Sequence, residues 1–237
     1  MKQEEIYLLI GVVVFTVLAA LGFMVWKLGD KKRRRRLEEL AERNGWRFEA
    51  TGPHIADPLS CLELFGRGHS RRVSNLMVMG PADHEVRVFD YEYTTGRGRH
   101  ATMHWHTIVA FDDLPLELPD FQVRPKELLH KIGTAFGYQD IDIENRPDFS
   151  SKYVLRGACE EAIRDLFDER RIASIEENGH IGVEGSGRVL IVYSPPFQVA
   201  LRDFEQFILQ AKSIRAAFAR QSSRMGRETA AVAASLT

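Results

Sequence analysis

The strongest constraint on this chain lies at its start. Ile6 to Trp26 carries no charged side chain, and Lys27, Lys31, Lys32, Arg33, Arg34, Arg35 and Arg36 follow it. A helix of about 20 apolar residues matches a bilayer core. Tyr7 and Trp26 stand at the two ends of the run, where amphipathic rings favour the headgroup level. The sequence therefore predicts a transmembrane helix over 6–28 behind a 1–5 stub. A cleaved signal peptide would have a shorter apolar core and its basic residues on the other side.

The basic excess after the run sets an orientation. The expectation is a single-pass protein of the plasma (inner) membrane, with its N-terminus outside and its C-terminal domain cytoplasmic. Lys31 to Arg36 would lie in a basic juxtamembrane helix over 29–44. Near an anionic leaflet each such residue attracts headgroups by about 1 kcal/mol, so anionic lipid is an expected partner.

Beyond this point the charge balance reverses. The whole chain carries −1; residues 1–26 carry −1 and residues 27–36 carry +6, which leaves −6 for 37–237. An acidic domain argues against a nucleic-acid surface, which needs clustered cations to neutralise phosphates. Cys61 and Cys159 lie far apart and offer neither metal-ligand spacing nor a disulfide framework.

Apolar periodicity gives the elements. Leu37, Leu40 and Ala41 form a narrow helical stripe that stops at Asn44-Gly45. Leu59 to Phe65 reads as a helical turn or two, and Asn75 to Met79 as a strand stopped by Gly80-Pro81. Asp112 to Pro125, with its three prolines, reads as irregular, and Pro125 opens a helix with Leu128, Leu129 and Ile132 on one side. Short strands are expected at Ile141–Ile143 and Tyr153–Leu155, and a helix over Cys159–Arg170. Ile172–Glu176, His180–Glu184 and Val189–Tyr193 suggest a meander. A final helix over 199–220 shows Leu201, Phe204, Ile208, Ala211, Ile214 and Phe218 in one stripe. Pro119-Asp120-Phe121 and Pro147-Asp148-Phe149 hint at a duplicated unit. Grouped short strands with helices between the groups indicate an α+β domain over 45–220, with antiparallel sheet and flanking helices, and a disordered tail over 221–237.

The clearest local feature is a hairpin, with strands Glu85–Thr94 and His100–Phe111 joined by Thr95-Gly96-Arg97-Gly98-Arg99. Pairing Tyr91 with Met103 would join the apolar sets Phe89, Tyr91, Tyr93 and Met103, Trp105, Val109, Phe111. Asp90, Glu92, Thr102, His104 and His106 would then share the other face. His104 and His106 project about 6.6 Å apart on a strand. That spacing suits two imidazoles on one metal, with Asp90 as a third ligand or a histidine orienter. A solvated polar face is the plainer account of the same residues. Arg97 and Arg99 at the tip read as an exposed charged turn, or as contacts for phosphate or an acidic partner.

Other signals are weak. Gly185-Ser186-Gly187 joins two strands and lacks the Lys-Ser/Thr of a phosphate loop. Ser74, Ser150, Ser151 and Ser186 have no nucleophile-elbow context.

Three segments carry a resemblance: Val88-Phe89-Asp90-Tyr91-Glu92-Tyr93, then 118–125 (LPDFQVRP), then 148–157 (DFSSKYVLRG). Together they are similar to a group of uncharacterised bacterial single-pass membrane proteins with one cytoplasmic domain of unknown function. The resemblance implies a bacterial inner-membrane location and brings no catalytic residues.

The expected function is a membrane-anchored cytoplasmic binding or scaffold module of unknown ligand, with a membrane protein as partner and no cofactor. The alternatives are a membrane-tethered enzyme using a transition metal on the His104/His106 face, and an anionic-lipid surface sensor.

Overall fold

The computed structural model describes residues 3–52, 59–81, 84–128, 140–143, 145–195 and 197–219, and within the first helix the side chains at 3, 7, 11–18, 24 and 28–44. The chain divides into two units, Met1–Gly45 and Trp46–Thr237.

The first unit is one helix, α1 (Gln3–Asn44). It stops where the sequence says it should. Gly45 takes φ 68°, its N–H reaches the Glu42 carbonyl at 3.2 Å, and the Asn44 amide donates to the Leu40 carbonyl at 2.9 Å. The stripe Leu37, Leu40 and Ala41 is its buried side. Lys31, Lys32, Arg35 and Arg36 are exposed and Arg33 and Arg34 half-buried; Arg35 and Arg36 both pair with Glu39.

The membrane expectations are corrected here. Among the described residues no helix is long and apolar enough to cross a membrane. The transmembrane helix over 6–28, the single-pass inner-membrane location with an outside N-terminus, and the integral membrane partner all fall with this finding.

The second unit is built on one eight-stranded, wholly antiparallel sheet in the order β1-β2-β3-β4-β8-β7-β5-β6. Its strands are β1 (Arg47–Thr51), β2 (His69–Met79), β3 (Val86–Thr95), β4 (Thr102–Phe111), β5 (Leu118–Pro125), β6 (Tyr153–Gly157), β7 (Gly182–Gly187) and β8 (Val189–Tyr193). Among the described residues, short or medium helices accompany them: α2 (Glu63–Gly66), α3 (Pro147–Lys152), α4 (Glu160–Leu166), α5 (Glu169–Asn178) and α6 (Phe204–Phe218).

Both faces of the sheet centre are covered. On one face, Leu59, Leu62, Leu64 and Phe65 lie over Val73, Phe89, Tyr91, Tyr93, Ile108 and Ile191. On the other, α4 and α6 converge on β5. Phe121 meets Phe167 edge-on at 5.0 Å and stacks on Phe218 at 5.4 Å, while Phe149 stacks on Tyr153 at 5.1 Å. Each such ring withdrawn from water contributes about 1.5–3 kcal/mol.

Several elements differ from the sequence expectation. Asp112–Pro125 is not irregular throughout, because β5 occupies its second half. Pro119 falls at the register irregularity between Leu118 and Phe121, and Pro125 is the strand's last residue, where a missing N–H is tolerated. Ile172–Glu176 is helical, not a strand. Asp168 caps α5 by accepting from the Arg171 N–H at 3.0 Å, and Gly179 ends it at φ 74°. The echo of Pro119 and Pro147 dissolves: the first sits in a strand, the second opens α3. Ile141–Ile143 forms no strand, although the Ile141 N–H donates to the Leu155 carbonyl at 2.8 Å. Of the expected helix after Pro125, a 3-10 turn at Lys126–Leu128 is seen; Leu129, Ile132 and the tail 221–237 lie outside the described residues.

Candidate functional site

The β3–β4 register decides which chemistry meets. Tyr91 pairs with His106 and Tyr93 with His104, while Met103 pairs with Thr94. The offset from the expected register is three residues. An odd shift moves every side chain to the opposite face. His104 and His106 therefore lie with Tyr91 and Tyr93, beneath the 59–66 segment, and Asp90 lies on the far side.

Asp90 has its own setting there. It pairs with Thr107 across the strands, accepts from the Thr107 hydroxyl at 2.9 Å and from the Asn75 amide at 2.8 Å. Asn75 reaches it because a bulge puts its backbone at φ 54°. Asp90 thus cannot complete a site with the two histidines. Among the described residues no group of three or more His, Cys, Asp or Glu is arranged to hold a metal.

Both imidazoles stack on the Tyr93 ring, His104 at 4.8 Å and His106 at 5.7 Å. His104 Nε2 bonds Thr95 Oγ1 at 2.8 Å. His106 Nδ1 lies 2.9 Å from the Ser194 carbonyl, an acceptor. The proton is therefore assigned to Nδ1, and Nε2 is left as a lone-pair acceptor. Burial pushes the His106 pKa down to about 4, so this tautomer is neutral at physiological pH. Burial and the Arg67 guanidinium also lower His104.

Next to the imidazoles lies a charged network that no sequence motif marked. Glu184 of β7 is 1% exposed. It accepts from the Leu64 N–H at 2.9 Å, the Arg124 guanidinium at 3.1 Å, the Tyr193 hydroxyl at 3.1 Å, and the Gln122 amide. Arg124 also donates to Tyr193 Oη at 2.8 Å. Arg67 donates to Glu63 and to Gln122 Oε1 at 3.3 Å. Alternation supplies the cluster: Gln122 pairs with Glu184, and Arg124 shares their face two residues on. The only sequence trace was a glutamate inside an apolar strand, a pattern with no defined partner. Burial raises the Glu184 carboxyl, and the Leu64 N–H, the Arg67 charge, the Tyr193 hydroxyl and the Gln122 amide pull it back.

Four buried polar atoms in this region have no hydrogen-bond partner among the described residues: Tyr91 Oη, Tyr93 Oη, His106 Nε2 and Arg67 Nε. Burial raises Tyr91 to about 12 and raises Tyr93, against the charge of Arg67 and the approach of its guanidinium as a donor to the phenol oxygen, which leaves the Tyr93 O–H itself unmatched. Both phenols are therefore O–H donors at neutral pH. Three donors and one acceptor stand unmatched on one sheet face, where such orphans are rare.

Beside the network, a cavity of ≈ 260 Å³ lies against the 59–66 segment, lined by Cys61, Glu63, Gln122, Arg156, Gly157 and Ser186 among others. Glu63 and Gln122 belong to both cavity and network.

No family model matches the chain, and no curated protein does. Among solved structures, the crystal structure of the mycobacterial trehalose monomycolate transport factor A, TtfA, is similar in fold. Its TM-score is 0.55 at 12% identity, over 78% of this chain and 93% of TtfA. At that identity the likeness shows a shared fold.

Proposed function

We propose that the chain is a binding module whose ligand pairs the buried polar groups of Tyr91, Tyr93, His106 and Arg67, a polar niche that it opens on entry. The carrying observation is the set of four buried, unmatched polar atoms on one face. Leaving such an atom unpaired costs about 1–3 kcal/mol, and a guest that pairs several at once recovers that cost on binding. The donors Tyr91 Oη, Tyr93 Oη and Arg67 Nε call for an acceptor; His106 Nε2 calls for a donor. A hydroxyl or primary amide meets both demands. A carboxylate guest would sit beside Glu184 and Glu63 and be repelled. That a transport factor shares this fold supports a role in holding a ligand or partner.

The test separates a site from a structural network. Tyr91→Phe and Tyr93→Phe each remove an orphaned hydroxyl, so each raises the stability of the unliganded chain by about 1 kcal/mol. The same substitutions abolish any non-covalent adduct seen by native mass spectrometry of the full chain. Loss of stability in both variants shows that the phenols serve the fold, and ends this reading.

A further inference from the structure

One end of the sheet concentrates cations, of which Arg67 alone belongs to the niche. The β2 start (66–72, GRGHSRR) and the β3–β4 connection (96–100, GRGRH) hold five arginines and two histidines, with no acidic residue in either segment. The fold joins them. His69 pairs with Thr94, and its Nε2 bonds the Gly96 carbonyl at 2.9 Å. The connection depends on its glycines: Gly96 and Gly98 take φ 73° and 57°, and a Cβ on Gly96 would come within 2.3 Å of the His100 carbonyl oxygen.

The five guanidiniums have different fates. Arg67 is neutralised by Glu63, and Arg72 by a two-pronged contact with Glu92 at 2.6 and 2.9 Å. Arg71 gives its donors to the neutral carbonyls of Gly66, Arg67 and Gly68, which shapes the loop and leaves its charge uncompensated. Arg97 and Arg99 are exposed, and among the described residues neither guanidinium makes a hydrogen bond or ion pair. Met103, the second residue of β4, is 43% exposed beside them.

We infer that this sheet end docks an acidic segment of a partner protein, with Arg97 and Arg99 gripping carboxylates and Met103 covering an adjoining apolar side chain. The planar guanidinium fork fits a carboxylate in two parallel bonds. Arg and Met side by side match the composition enriched at protein interfaces. A nucleic acid would need a cationic track over many phosphates; here the uncompensated cations are Arg71, Arg97 and Arg99, in a chain that carries −6 over 37–237.

The probe is a fluorescent peptide of glutamate and leucine, titrated into the full chain by anisotropy, with a glutamine–leucine peptide as control. The glutamate peptide binds, more weakly as ionic strength rises, and the control does not. R97E/R99E weakens binding by at least about tenfold, and R97Q/R99Q by less. Met103→Ala also weakens it. Both arginines lie in an exposed turn, so the variants keep the wild-type melting curve. Equal binding by wild type and R97E/R99E, or none by wild type, overturns the inference. So does tighter, Arg97- and Arg99-dependent binding of a polythymidine oligonucleotide or of phosphatidylglycerol-containing vesicles. The niche plays no part in any of these outcomes.

Discussion

Acid should expose the cost of keeping His106 neutral. The imidazole is 1% exposed, with Nδ1 on the Ser194 carbonyl at 2.9 Å, and burial lowers its pKa from 6.5 to about 4. In the unfolded chain the ring titrates normally. Between those values the unfolded state binds the extra proton, so the folded state loses ground as pH falls. The stabilisation is fully present above 6.5 and is lost on descent through about 4. The loss amounts to about 2 kcal/mol at pH 5 and about 3 kcal/mol at pH 4, since each tenfold difference in proton affinity between the two states is worth ~1.4 kcal/mol. Urea unfolding of the wild type and of His106→Gln at a series of pH values isolates the effect. Glutamine can donate to Ser194 but cannot titrate, and the carboxylates and His104 are common to both proteins. The two stabilities converge by about 3 kcal/mol between pH 7 and pH 4, roughly 6–12 °C in Tm for a domain of this size. Parallel pH profiles would show that His106 is hydrated or already charged, and would remove the neutral acceptor from the proposed niche.

Three further outcomes test the framework around it. Glu184→Ala strips the carboxylate from Arg124, which is 5% exposed, and from the Leu64 N–H; chemical denaturation should show a loss of about 3–5 kcal/mol, and a loss below about 1 kcal/mol would mean the network contributes no net stability. Gly182→Ala places a Cβ 2.2 Å from the Tyr193 ring, which is held by Arg124 and Glu184, so overpacking should cost about 1–3 kcal/mol by the same assay. Asp168→Ala removes the cap of α5 and a 2.9 Å partner of the buried Arg171, a loss of about 1–2 kcal/mol in thermal melts; an unchanged Tm would contradict the capping role.

Alternation and punctuation made much of the sheet readable in advance. Val189–Tyr193 is β8 residue for residue, because an uninterrupted apolar run between turn residues has few other solutions. The 3.6-residue stripe from Phe204 to Phe218 identified α6 for the same reason. The Asn44-Gly45 stop needed nothing beyond one residue's tolerance of positive φ. The capping aspartate at 168 stands in the sequence just as plainly, and without it α5 reads as a strand.

Register and contact were different. The inner halves of β3 and β4 are buried on both faces, so apolar residues alternate on each side and the pattern does not choose between them. A six-residue connection with its own 3-10 turn moved the pairing by three, and that odd shift placed the histidines with the tyrosines and sent Asp90 to Asn75 and Thr107. The Glu184 network joins residues separated by 60 positions and more, and sequence periodicity reports which face a residue occupies, not which strand lies beside it. The sequence by itself determined the strand Val189–Tyr193, the helix Phe204–Phe218, the acidic charge of 37–237 and the arginine-rich turns, because those depend on local backbone preference and on composition. The tertiary structure decided which polar groups share a buried face, because only sheet order and register bring β3, β4, β5, β7 and β8 within hydrogen-bond reach.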